Sequence, residues 1–171
     1  MKNTLVAAFG AAALILGSGS AMAQDGRLSP LGEHALVAHD GDVYIAAQPT
    51  TDDLDAWAAQ GVTTVVNFRS QAETAALPFS ASAESEARGM RYLDIPMGGA
   101  DGVSPDIRTR LTALLADAEG PVVLHCRTGM RAANAYAAHL LAEGEASGED
   151  LADFGWPGGL SGQTLEMLLD E

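Results

Sequence analysis

The sequence predicts an α/β fold, a mostly parallel sheet with helices on its faces. Three observations carry that expectation. Short β-branched or apolar runs alternate with stretches of helical spacing, the order that builds parallel sheets. The runs at residues 62–68 and 122–125 are near-continuous instead of alternating, as strands covered on both faces are. Gly61, Gly89 and Gly120-Pro121 punctuate the chain where one element gives way to the next.

The elements follow in order. Lys2, an apolar run over residues 5–16, the break at Ser18-Gly19-Ser20 and the small-x-small end Ala21-Met22-Ala23 form the pattern of a signal peptide over residues 1–23, cut after Ala23. About a dozen apolar residues are too few to span a bilayer. The expected product is periplasmic or secreted, a single domain over residues 24–171 and free of the membrane after cleavage. Residues 24–42 are polar and read as a lead-in arm. A first strand spans residues 43–47, and Thr51, Asp52 and Asp53 open a helix that runs to about Gln60. Residues 62–68 read as a central strand, and Arg69-Ser70-Gln71 as a loop. A helix over residues 80–88 leads to a third strand at residues 90–95, closed by Pro96. Residues 98–102 form a Gly-rich exposed loop. Ser104 caps a helix with Pro105 at its first position and Ile107, Leu111, Leu114 and Leu115 on one face. Residues 122–125 form the last strand, running into a short loop and a helix over residues 130–143. A tail helix is expected at residues 164–169.

Charge narrows the partners. Lys2 is the sole lysine, so the mature chain sets eight arginines against 23 Asp and Glu, a net charge near −15. Such a surface repels nucleic acid and anionic lipid, so neither is expected as a partner. An anionic substrate, small molecule or phosphoprotein, then needs a local Arg cluster to enter. His34, His39 and His139 lack metal-ligand spacing, and neither a metal nor an organic cofactor is expected. Oligomeric state is not written in the sequence. Trp57 and Trp156 read as packing residues.

The one cysteine, Cys126, excludes a disulfide within the chain. Its surroundings give it a different use. A strand ends at His125, a helix begins near Met130, and Gly129 lies between them. Glycine there lets successive N–H groups turn inward, and inward N–H groups at a helix N-terminus make an anion cradle. The same field favours thiolate over thiol, and thiolate is the nucleophile. Arg131 closes the loop with a planar fork that matches two oxygens of a phosphate-like group. Cys126 and Arg131 are therefore the expected catalytic pair. Arg127, Thr128, Gly129 and Met130 are expected to bind substrate, Arg127 at the pocket mouth. A flanked, buried, inert cysteine is the plain alternative.

His-Cys-x-x-Gly with a following Arg resembles the active loop of tyrosine and dual-specificity phosphatases. Residues 43–49, residues 65–69 with Glu73, residues 92–96 and the Cys126 loop together resemble the phosphatase-like family of beta-lactamase hydrolase-like proteins, over about residues 43–143. The resemblance implies a cysteine-phosphatase-like fold and a cysteinyl-phosphate intermediate. It also implies that His125 orients the loop and that a mobile Asp serves as general acid. Asp101 is the candidate for that acid and Asp94 the second choice, while Asp106 fits first-turn helix charge better. Arg69 and Glu73 are expected to pair behind the loop. Two departures matter. Four residues separate Cys126 from Arg131 where standard tyrosine phosphatases have five, and Ala132 stands where Ser or Thr is usual, with Thr128 a partial substitute. Four is also the rhodanese spacing, so a sulfurtransferase carrying a Cys126 persulfide stays open. So does a non-catalytic oxyanion-binding module.

Overall fold

The computed structural model describes residues 36–99, 102–147 and 151. The expected signal peptide, Asp101, Trp156 and the tail helix lie outside the described residues. Five strands, β1 (Leu36–Asp40), β2 (Val43–Ala46), β3 (Thr64–Asn67), β4 (Arg91–Asp94) and β5 (Val122–His125), form one sheet in the order β1-β2-β5-β3-β4. Every pairing is parallel except that of β1 with β2. The mostly parallel α/β sheet expected from the sequence is thus present.

Burial explains the order. All four residues of β3 and of β5 are buried, as befits strands covered on both faces. Helices α1 (Thr51–Ala59) and α3 (Ala81–Glu86) cover one face, where Leu54, Trp57, Val65, Met90 and Val123 pack together. Helices α4 (Pro105–Ala116) and α5 (Met130–Glu143) lie on the other, with Ile107, Leu111 and Leu114 against Val66, Leu124 and Leu140. Trp57 is a core residue, as expected. Helix α5 buries Ala132, Ala133, Ala135, Ala137 and Ala138. With methyl groups on nearly every side, it can lie close against both the sheet and α4.

The helix starts follow capping chemistry. Helix α1 starts at Thr51, as expected, and Thr50 caps it in a reciprocal box with Asp53. Ser104 caps α4 ahead of Pro105, as expected. Two expectations are corrected. The supposed lead-in arm contributes β1, which the tight turn at Gly41 (φ 51°) folds back onto β2. The supposed loop after β3 continues directly into α2 (Gln71–Ala75), capped by Ser70 in a second box with Glu73.

Candidate active site

Strands β2, β5, β3 and β4 run parallel, so their carboxyl ends emerge together. Loops leaving that edge of an open α/β sheet are where such folds hold ligands. Cys126 sits there, directly after β5, and is 1% exposed. Its loop is pinned on both sides. The Cys126 N–H donates to the Ala46 carbonyl at 3.4 Å, and the Gln48 N–H donates to the Arg127 carbonyl at 3.2 Å. Gly129 closes the loop as N-cap of α5 with φ 90°, a left-handed backbone that an L side chain would strain.

The loop points donors at the sulfur. Burial alone pushes the Cys126 thiol up, but backbone N–H groups of Thr128, Ala132, Arg131 and Gly129 outweigh it and hold the thiol below its ordinary range. The cradle inferred from one Gly and a helix start is therefore present, built from main chain. Ala132 takes part through its N–H even though it has no hydroxyl to offer.

Arg131 is only 12% exposed in its side chain and sits in a fixed frame. One terminal nitrogen donates to Glu73 Oε2 at 2.6 Å and to the Met97 carbonyl at 3.1 Å; the other donates to Glu73 Oε1 at 2.7 Å. These bonds use three of the roughly five N–H donors a guanidinium carries. The remaining pair, Nε–H and one hydrogen of the second terminal nitrogen, forms a side-on fork suited to two oxygens of an anion. The bond to Glu73 first, and more weakly the nearby Cys126 sulfur, keep Arg131 charged against its burial. In turn the Arg131 guanidinium, with the Ser70 backbone N–H, holds the Glu73 carboxyl down to about 2.

The expected Arg69–Glu73 ion pair is corrected here. Arg69 reaches only the Glu73 carbonyl, at 3.0 Å, and the Gln48 side chain, at 2.7 Å; the Glu73 carboxylate goes to Arg131. Glu73 thus closes the capping box of α2 and holds Arg131 with one side chain. The S-x-x-E pattern Ser70-x-x-Glu73 is a capping-box signal, and it would have disclosed both the short helix and the fixed position of Glu73. Gln48 and Asn67 were passed over as site residues. Asn67 is fully buried, accepts the Arg69 N–H, and donates to Thr74 and Asp94. Loops after β2, β3 and β5 are thereby laced together.

His125 is fully buried, with Nδ1 3.4 Å from the Cys126 carbonyl. Burial pushes its pKa down to about 4, so it is neutral near pH 7. That environment fits a loop-orienting imidazole and not a proton shuttle. Arg127, Thr128 and Met130 are exposed, Met130 to 38%. Asp94 is exposed at the end of β4, and Asp106 lies in the first turn of α4. Asp101 lies outside the described residues. Among those residues, no three His, Cys, Asp or Glu side chains gather as metal ligands would.

Residues 36–142 match the family described as beta-lactamase hydrolase-like protein, phosphatase-like domain. The beta-lactamase hydrolase-like protein of Agrobacterium fabrum is 35% identical over 113 residues, which cover 65% of this chain and 26% of that protein. The protein of the same description from Xylella fastidiosa is 29% identical over 113 residues, with the same coverage. The matched stretch is thus about a quarter of the length of these curated relatives. Among solved structures, a Shewanella putrefaciens protein provisionally described as a phosphatase superposes with a TM-score of 0.64 at 18% identity, over 80% of this chain and 90% of that one. A Neisseria meningitidis protein with the same provisional description gives 0.62 at 25% identity, over 84% and 96%. Kinase associated phosphatase, with its catalytic-site cysteine replaced by serine, gives 0.62 at 16% identity, over 83% and 94%. The shared architecture is the cysteine-phosphatase fold.

Proposed function

The chain belongs to the family of the phosphatase-like domain of beta-lactamase hydrolase-like proteins, and from that premise we propose that it is an exported phosphatase acting through a cysteinyl-phosphate. The observation that carries the proposal is the ring of four backbone N–H groups on the Cys126 sulfur, with the Arg131 fork fixed beside it. In this reading the Cys126 thiolate attacks phosphorus and the ester oxygen leaves. The N–H groups that hold the thiolate, together with Arg131, take the equatorial oxygens as charge builds on them. Asp101 protonates the leaving oxygen. Water then attacks the cysteinyl-phosphate, releasing phosphate and restoring the thiolate.

A second reading rests on the loop itself. Four residues between Cys126 and Arg131, and no hydroxyl at Ala132, also suit a persulfide carrier that takes a sulfane sulfur from thiosulfate. Mass spectrometry of Cys126 after parallel exposure to an aryl phosphate and to thiosulfate separates the two. We expect a phosphoryl adduct with the ester. An adduct of one sulfur with thiosulfate, and none with the ester, would replace the phosphatase by the sulfurtransferase. No adduct in either arm would leave an oxyanion-binding module.

Two further parts of the proposal have their own tests. With Asp101 as general acid, Asp101→Asn slows hydrolysis of an alkyl phosphate by about 10²-fold. It slows a nitrophenyl phosphate far less, because that leaving group departs without a proton. Equal slowing of both esters would remove Asp101 from the role. Export predicts that the chain recovered from the periplasm or the medium begins at Gln24; a chain retained in the cytoplasm with Met1 intact would refute it.

A further inference from the structure

Arg127 has no task in the scheme above, although it follows the nucleophile directly. Its backbone is fixed by the Gln48 N–H bond to its carbonyl. Its side chain is exposed, and among the described residues it is the one arginine whose guanidinium has no hydrogen bond or ion pair. Arg69 is held by Gln48 and Glu73, Arg88 by Asp55 and Glu84, Arg91 by Asp117, Arg110 by the Asp94 carbonyl, and Arg131 by Glu73 and Met97. Arg108 is engaged as well. In a chain of net charge −14, other arginines are neutralised or tied down while this one, next in the chain to Cys126, is left open. A free guanidinium there strengthens the local positive potential and offers a planar fork to an anion.

The surrounding loops supply a second, independent observation. Residues 47–50, 68–70, 96–99 and 126–129 emerge at the carboxyl edge of the sheet. The single aromatic in these four stretches, Phe68, is fully buried, and the half-buried Phe79 lies beyond α2, lining a separate cavity with Thr74, Tyr92 and Asp94. A phosphotyrosyl ring would find no exposed aromatic side chain to lie against in these loops. They offer instead arginine, hydroxyl, amide and glycine.

We propose that Arg127 binds a second anionic group on the substrate, so that the site prefers a small phosphoester carrying a further phosphate or carboxylate over a phosphotyrosyl side chain. The proposal rests on the phosphatase reading for its chemistry, but binding tests it separately. In full-length chain made inert by Cys126→Ser, calorimetric titration compares orthophosphate with pyrophosphate. Pyrophosphate is expected to bind about tenfold more tightly, the worth of one added charge-assisted contact. Adding Arg127→Gln should bring the ratio of the two affinities close to one, and Arg127→Lys should restore most of it. A preference that is absent, or that survives Arg127→Gln, overturns the proposal. Wild-type chain that releases no phosphate from any ester, while the pyrophosphate preference still depends on Arg127, would sink the phosphatase reading and leave the second anion site standing.

Discussion

Cys126→Ser is expected to reduce phosphate release by on the order of 10⁴-fold or more, the scale at which loss of a nucleophile leaves only binding effects. The substitution removes one chemical property and little else. The side chain is 1% exposed and shrinks slightly, and the four backbone donors around it belong to the main chain. Those donors can stabilise a thiolate because a thiol starts within reach of neutral pH; a serine hydroxyl does not. The variant should therefore fold, bind phosphate and fail to turn over. Far-UV circular dichroism, phosphate titration and a turnover assay check the three parts. Retention of more than about a hundredth of wild-type rate would exclude Cys126 as the nucleophile. The same donors predict a pH signature. Because they hold the thiol below its ordinary range, alkylation of Cys126 by iodoacetamide should reach its plateau at a lower pH than that of a free cysteine. An inflection at the ordinary thiol value, near 8.5, would mean that burial had won over the loop.

How much of this was legible in the sequence depended on whether a residue's task was local. The strand into Cys126, the Gly129 turn and the start of α5 are fixed by neighbours within a few positions, so the ring of inward N–H groups could be read directly. Gly129 needs its left-handed backbone whatever the rest of the chain does. Strand β1 was missed because an edge strand of mixed polarity has neither the apolar run of β3 nor a clean alternation. Its partner β2 and the turn at Gly41 make it a strand. Helix α2 was missed for a different reason. Its five residues are too few to show helical periodicity, and only the Ser70–Glu73 box marks it. The error over Glu73 was one of distance: Arg69 lies four residues away in sequence, whereas Arg131 lies 58 away and is brought in by the sheet. Pairing by proximity in sequence chose the wrong arginine.

Arg131→Lys is the second large expected effect, about 10²- to 10³-fold in turnover, comparable to removing one well-placed oxyanion donor. Lysine keeps the charge, but its single ammonium cannot hold Glu73 with two nitrogens and still present a planar fork to phosphate. If Glu73 acts by orienting Arg131, then Glu73→Gln should cost much less, about tenfold, because the guanidinium and its charge remain. In the double variant the two losses should add to less than their product, since lysine has no fork left to orient. Full multiplicativity would mean that Glu73 serves α2 alone. The pH dependence follows from the same pair. The Glu73 carboxyl is depressed in the folded chain to about 2, from an ordinary value near 4.5, so the pair's contribution is whole above about pH 4.5 and is lost as pH falls toward 2. Because the Glu73 side chain is 31% exposed, solvent screens that contribution to about 1 kcal/mol. Urea unfolding at pH 7 and pH 3 should therefore show a gap between wild type and Glu73→Gln that narrows at the lower pH. A gap that stays constant would mean that the ion pair with Arg131 adds nothing to stability and that its worth lies wholly in aiming the fork at substrate.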